Sequence, residues 1–311
     1  MSRDRMDRRD FLGRIGFSGL ALSLGAACGK SGEEAAAEAG SAAGAAMAAD
    51  SGPQVALCTI AFQERPLDEV LQLAASTGFE GVEPWGKPEH LPLTRSDEEV
   101  RAVKARLDEL GLKASHYGSY IRLGDGQAAE EKNRDMDRAI QITGLLGTNI
   151  CRIWAGLKNS ELLGDQDWEM MVEDGKRFCS RAETAGAVLA IEMHGNSVTN
   201  KAAAAVELIE RVGSPALRLN YQVLGNSEDP YERATTAGPY AVMVHAQNEG
   251  GGGGENQPMI CEGTVDFQKI YDILKPFGFQ GYFEVEFVRG KTYEEKVESL
   301  KKDFACLKAI S

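Results

Sequence analysis

From Gln54 onward, short apolar runs alternate with stretches whose apolar residues recur every three to four positions. The first pattern fits buried strands and the second fits helices packed along one face. The runs at 55–60, 79–85, 112–117, 149–154, 187–193, 216–222, 240–247 and 281–288 predict eight strands. Helical spacing falls between and after them: at 67–77, 96–110, a long segment through Met136, Ile140 and Leu145, 167–185, 201–212, 230–237, 266–277 and 293–309. Ser96-Asp97-Glu98-Glu99 reads as a capped helix start, and Gly78 and Gly111 read as stops. Eight alternations over about 258 residues suit a (β/α)8 barrel. An open doubly wound sheet is the alternative, but no Gly-x-Gly-x-x-Gly follows the first strand.

The first 53 residues follow another pattern. Arg8-Arg9-Asp10-Phe11-Leu12 looks like a twin-arginine export signal, followed by a weakly apolar run from Ile15 to Ala27. That run is too short and too rich in glycine for a transmembrane helix. It ends at Gly25-Ala26-Ala27-Cys28, which resembles a lipoprotein cleavage box with Cys28 as the lipidated residue. Residues 29–53 are rich in Ala, Gly, Ser and Glu and predict a flexible tether. The expected organisation is therefore a signal at 1–28, a linker at 29–53 and the barrel at 54–311. The expected location is periplasmic or membrane-anchored, with the twin-arginine export machinery as a partner and a lipid anchor as the only membrane attachment.

Composition narrows the partners. The 311 residues are 43% hydrophobic and 26% charged, an ordinary globular balance. The net charge of -13 argues against nucleic acid, whose phosphates need a basic surface, and fits small-molecule ligands. Six cysteines show no metal-binding or CxxC spacing. Cys58 and Cys151 sit in apolar runs and are expected as buried free thiols. An exported, prefolded protein is not thereby obliged to carry disulfides.

Polar residues collect at the carboxyl ends of the predicted strands, where barrel sites form. They are Glu83 on the second, His116 on the third, Arg152 on the fourth, and Glu192 with His194 on the fifth. The sixth adds Asn220 and Gln222, the seventh His245 and Gln247, and the eighth Glu284 and Glu286. Three of the four histidines thus lie at strand ends, His90 being the exception. Ionisable groups in buried strands are costly without partners. Their gathering at one end points to a site rather than to scattered core polar groups.

Five segments carry a family resemblance. Phe79-Glu80-Gly81-Val82-Glu83, Leu189-Ala190-Ile191-Glu192, Val242-Met243-Val244-His245 and Gly281-Tyr282-Phe283-Glu284-Val285-Glu286 resemble the xylose isomerase-like TIM barrels, the sugar phosphate isomerases and epimerases. Cys261-Glu262-Gly263-Thr264-Val265-Asp266-Phe267 is similar to the segment that leads into that family's last unit. The resemblance implies a divalent metal, Mn²⁺ or Mg²⁺, held by Glu, Asp, His and Glu from strands five to eight. Carried over by position, these are Glu192, a strand-six residue, His245 and Glu286. Glu284 shares a face with Glu286, and the one nearer the strand end is preferred. Strand six has no Asp. The best register puts Gln222 there, whose carbonyl oxygen can ligate a hard cation without adding charge.

The chemistry implied is isomerisation or epimerisation of a carbohydrate. Glu192 and Glu286 would remove and return a proton next to a carbonyl, with Glu83, His116, Arg152 and His194 as substrate-binding groups. Trp85 and Trp154 are candidates for stacking on a sugar face. Two alternatives stand: a keto-sugar glycoside lyase on the same barrel, and a non-catalytic sugar-binding lipoprotein. The endonuclease branch is disfavoured by the acidic charge and the few histidines. The address is tested directly. Arg8→Lys combined with Arg9→Lys leaves the protein in the cytoplasm, and Cys28→Ser abolishes lipid attachment. Cell fractionation reads both, and unchanged membrane association of Cys28→Ser removes the lipoprotein reading.

Overall fold

A computed structural model describes residues 52–223, 228–248 and 254–311. The twin-arginine motif, Cys28, nearly all of the linker and most of the glycine run at 250–254 lie outside the described residues. Within them no helix is long and apolar enough to cross a membrane.

Nine strands alternate with eight helices among the described residues. The strands are β1 Gln54–Cys58, β2 Gly81–Glu83, β3 Lys113–Ala114, β4 Tyr117–Leu123, β5 Ile150–Ala155, β6 Val188–Glu192, β7 Leu217–Gln222, β8 Ala241–Ala246 and β9 Tyr282–Val285. The helices are α1 Leu67–Thr77, α2 Asp97–Glu109, α3 Ala129–Leu145, α4 Asp165–Ala185, α5 Ala202–Val212, α6 Pro230–Ala237, α7 Phe267–Leu274 and α8 Tyr293–Lys308. The sheet runs β3-β2-β1-β9-β8-β7-β6-β5-β4 with every pairing parallel. Its two ends meet at one bridge, Trp85 with Gly118, where Gly86 donates to the Gly118 carbonyl at 2.9 Å. The result is the expected eight-unit barrel, closed by a short seam.

The seam is where structure and pattern differ. The third strand, expected as one run over 112–117, is two pieces separated by Ser115 and His116. The second piece continues to Leu123 and brings Tyr120 to the carboxyl end. A Cβ on Gly118 would collide with the Glu83 carboxylate and stand 3.1 Å from Arg152 Nη2. Glycine there leaves the room that this charged pair occupies. Strands four to eight of the sequence pattern are therefore β5 to β9.

Helix α2 starts at the cap that the sequence pattern places, and α8 has one of the same kind. Ser96 and Glu99 form a reciprocal capping box on α2, as Thr292 and Glu295 do on α8. Helix α1 stops at Gly78, whose φ of 105° is in the left-handed region that favours glycine. Helix α7 stops at Leu274 because Pro276 follows in a tight 3-10 turn. Phe62, Leu71, Leu107, Leu123, Phe178 and Phe283 are among the fully buried side chains. Each stabilises by about 1.5–3 kcal/mol relative to exposure.

Cys58, Cys151 and Cys179 are buried free thiols, as the pattern suggests for the first two. Cys261 and Cys306 form a disulfide that the spacing did not indicate. It pins the segment between β8 and α7 to α8, beside the Ile260 amide that donates to Asp303 Oδ1 at 2.7 Å. The bond spans a sequence separation of 45, and in the chain-entropy account a loop of that size is worth about 4 kcal/mol. Cys306→Ser is therefore expected to lower the unfolding free energy by about 2–4 kcal/mol. Urea unfolding with and without reductant checks this. Equal stability of the two proteins under oxidising conditions would sink it.

Candidate functional site

The barrel interior is built from alternate residues of each strand. Cys58 and Glu83 are register partners on β1 and β2, Gln222 and His245 on β7 and β8, and His245 and Glu284 on β8 and β9. Two supports hold the strand ends. Arg233 on α6 is 1% exposed and donates to the carbonyls of Gln222 and Thr199 at 2.9 Å and of Asn200 at 3.0 Å. Thr199 Oγ1 donates to the Glu192 carbonyl at 2.8 Å and accepts from the His194 amide at 3.1 Å. These bonds fix the backbone under Glu192 and Gln222.

Inside, four carboxylates share a water-poor space. Glu83, Glu192, Glu284 and Glu286 are all buried, together with His116, Arg152, Gln222 and His245. Arg152 pairs with Glu83 at 3.1 Å and with Glu192 at 2.9 Å. His116 stands between two carboxylates, with Nε2 3.1 Å from Glu83 and Nδ1 3.3 Å from Glu284. His245 faces Glu83 and Glu284 with Nε2, at 3.3 and 3.5 Å. Its Nδ1 faces Gln222 Oε1 at 3.3 Å, Glu286 at 3.5 Å and Glu192 at 4.0 Å.

Burial alone would push both imidazoles down, but the carboxylates outweigh it. Glu284 and Glu83 hold His116 up at about 9, and Glu286, Glu83 and Glu192 hold His245 up at about 10. Burial, reinforced by Glu192 and Glu83, raises the Glu286 carboxyl to about 8. Burial acts on Glu83 too, but His116 and Arg152 prevail and keep it well below the usual carboxylate range. Metal-free, the cluster is thus neutralised by protons: one on Glu286 and a second one on each imidazole, beside the Arg152 guanidinium. A divalent cation could replace the protons on Glu286 and His245 with no change in net charge.

The donor set fits such an ion. Ligating atoms of Glu192, His245 and Glu286 lie within 4.8 Å of one another, and Gln222 adds a carbonyl oxygen beside His245. Carboxylate, imidazole and amide oxygen suit Mg²⁺ or Mn²⁺. The buried Glu286 Oε2 has no hydrogen-bond partner. A second group, Cys58, Glu83, His245 and Glu284, lies on the other side of the same imidazole.

The structure therefore brings together seven of the eight residues given catalytic, metal-binding or substrate-binding roles above, Glu83, His116, Arg152, Glu192, Gln222, His245 and Glu286. His116 and Arg152 face carboxylates rather than open solvent. The eighth, His194, stands apart. β6 ends at Glu192, and the half-buried His194 ring bonds the Gly195 carbonyl at 2.7 Å and packs edge-on against Trp154 at 4.9 Å. His90 is held by Thr59 and the Arg65 carbonyl, away from the cluster.

Tyr120 was missed. It stacks on Trp154 at 5.9 Å and accepts from Trp85 Nε1 at 2.6 Å, and the Arg152 guanidinium lies 4.9 Å from its ring centre. Lengthening the third strand past Tyr117 would have been the signal. A cavity of about 740 Å³ opens at the opposite end of the barrel, among Lys113, Asn149, Met243 and Tyr282. It holds none of the clustered carboxylates and imidazoles, and the strand-end cluster is the better candidate.

Comparison with known proteins agrees with the fold. The chain is 23% identical over 198 residues to a 3-dehydroshikimate dehydratase of Bacillus anthracis, covering 62% of this chain and 70% of the relative. A xylose isomerase-like TIM barrel protein of Mycobacterium smegmatis, solved in complex with magnesium, superposes with a TM-score of 0.65. Its identity is 18%, over 83% of this chain and 97% of that one. The 3-keto-D-glucoside 4-epimerase of E. coli, in its apo form, matches equally well, at TM-score 0.65 and 18% identity over 83% and 99%. Residues 71–310 match the family description of the xylose isomerase-like TIM barrel, and the chain belongs to that family.

Proposed function

We propose that this chain is an exported, metal-dependent sugar isomerase or epimerase. The observation that carries the reading is the convergence of Glu192, His245 and Glu286 within 4.8 Å at the barrel's carboxyl end, with Gln222 alongside. Those four residues would hold a divalent cation, as the magnesium-bound relative suggests for the family. Bound there, the ion supplies Lewis-acid polarisation of a carbonyl and acidifies the neighbouring carbon.

The rest of the work falls to side chains. Glu192 and Glu286 are the proton-transfer pair, one taking the proton from carbon and the other returning it. Arg152, clamped by Glu83 and Glu192, fixes the Glu192 carboxylate in place. His194 and Trp154 form a half-buried rim suited to sugar hydroxyls and to a ring face. The same proton abstraction would serve β-elimination, and similarity to a dehydratase favours that as the second reading. Export rests on Arg8-Arg9, and the Cys261–Cys306 disulfide supports it, since such bonds persist in oxidising compartments.

Turnover of a keto sugar in D₂O with Mn²⁺ is expected to place deuterium on the carbon next to the carbonyl. Glu192→Gln and Glu286→Gln should each lower kcat by about 10²–10⁴-fold while the circular dichroism stays native. A product without solvent deuterium, together with a fully active Glu286→Gln, would overturn the assignment. Release of water or an aglycone would shift it to the eliminating reading.

The protonation pattern also predicts how metal-free protein responds to pH. His116 and His245 are raised from 6.5 to about 9 and about 10, so their stabilisation is complete below about 6.5 and is lost as pH rises through those values. Glu286, raised from 4.5 to about 8, has the same sign, because the fold retains a proton that the unfolded chain gives up. Chelated protein should therefore melt at falling temperature from about pH 7 to about pH 10, and the stabilisation by added Mn²⁺ should grow over that window. Calorimetric melting at several pH values reads this. A flat profile would contradict it.

A further inference from the structure

His245 presents its two ring nitrogens to different ligand sets. Nδ1 looks to the mouth and Gln222, Glu286 and Glu192. Nε2 looks inward to Glu83 Oε2 at 3.3 Å and Glu284 Oε2 at 3.5 Å, and the Cys58 thiol lies 3.9 Å from that same Glu284 oxygen. Ligating atoms of Cys58, Glu83, His245 and Glu284 all fall within 4.8 Å of one another, and all four residues are buried. His245 is 1% exposed, and its Nε2 makes no aligned hydrogen bond. Packing alone leaves this buried nitrogen poorly served.

We propose that the inner side of His245 is a second cation site for a thiophilic divalent ion such as Zn²⁺, held by Cys58, Glu83, Glu284 and His245 Nε2, and filled only when the mouth site is empty. One thiolate, one imidazole and two carboxylates make a four-ligand set of the kind Zn²⁺ takes, whereas sulfur is a poor ligand for Mg²⁺ or Mn²⁺.

Exclusion follows from the imidazole. A neutral ring has one lone pair, so it ligates through one nitrogen while the other carries hydrogen. Each arrangement has an acceptor ready. With Nε2 on the inner ion, Nδ1–H can donate to Gln222 Oε1 at 3.3 Å. With Nδ1 on the mouth ion, Nε2–H faces Glu83 Oε2, also at 3.3 Å, and a small turn of either group would bring it into line. Gln222 thus serves the inner state as a hydrogen-bond acceptor that keeps the ring in place. Binding Zn²⁺ forms one Zn–S, one Zn–N and two Zn–O contacts. It releases the thiol proton and the Nε2 proton to solvent, with no change of oxidation state. The inner site stands on its own residues; only the competition rests on the proposed mouth site.

The test uses the full chain, stripped with chelator and dialysed. Calorimetric titration should find one Zn²⁺ per chain. Cys58→Ser should weaken Zn²⁺ at least about tenfold and leave Mn²⁺ within about twofold, with Glu286→Gln giving the reverse. Co²⁺ should give a near-ultraviolet sulfur-to-cobalt charge-transfer band in the natural protein that is absent from Cys58→Ser. Adding Zn²⁺ to Mn²⁺-loaded protein should release Mn²⁺, seen by the electron paramagnetic resonance of the free ion. Unchanged Zn²⁺ affinity in Cys58→Ser, or Co²⁺ bound without the sulfur band, overturns the inner site. Zn²⁺ uptake without Mn²⁺ release overturns the exclusion. If Cys58-dependent Zn²⁺ binding appears while Mn²⁺ does not bind at all, the inner site stands and the mouth reading falls.

Discussion

Four carboxylates buried in one barrel must find positive charge or protons, and much of the interior is arranged to meet that need. Each ion taken from water costs several kcal/mol even after the protein relaxes. Arg152 bridges two of the four, His116 bridges Glu83 to Glu284, and His245 faces all four. Such a set is poor material for stability alone, since a hydrophobic core of equal volume would serve as well. What distinguishes it is that the protons on Glu286 and His245 are replaceable by a cation without changing the net charge.

The scaffold keeps that cluster in register. Gly118 leaves space for the Glu83–Arg152 pair, and the strand break beside it places His116 between Glu83 and Glu284. Arg233 and Thr199 tie the backbone under Gln222 and Glu192, so two of the proposed mouth ligands stand on strand ends with little freedom. The rim is different. His194 and Trp154 lie beyond the ends of the strands or at their edge, where a substrate would first arrive. One barrel scaffold can host different chemistries because the residues at the strand ends and in the loops beyond them vary while the barrel stays.

Much of this was legible in the chain. Alternating strand-length apolar runs and helical spacing call for a parallel sheet covered by helices, and polar residues at strand ends converge when the strands close into a ring. Glu83, Glu192, Gln222 and His245 were found this way, from position within a run. The strand's period put Asn220 and Gln222 on the inward face, and the register of the family resemblance, rather than an acidic side chain, selected Gln222.

What the sequence could not determine depended on distances between segments far apart in the chain. That Glu284 and Glu286 both turn inward followed from alternation, but their division between the two sides of the His245 ring came from the register of β8 with β9. The broken third strand, and with it Tyr120, came from closure of the sheet at Trp85 and Gly118, a contact no local period encodes. Cys261 and Cys306 are 45 positions apart and became partners only when α8 packed beside the segment after β8. The protonation of His116, His245 and Glu286 is likewise a tertiary property. Residue type sets where each group titrates in water, and only the fold brings the charges and the burial that move it.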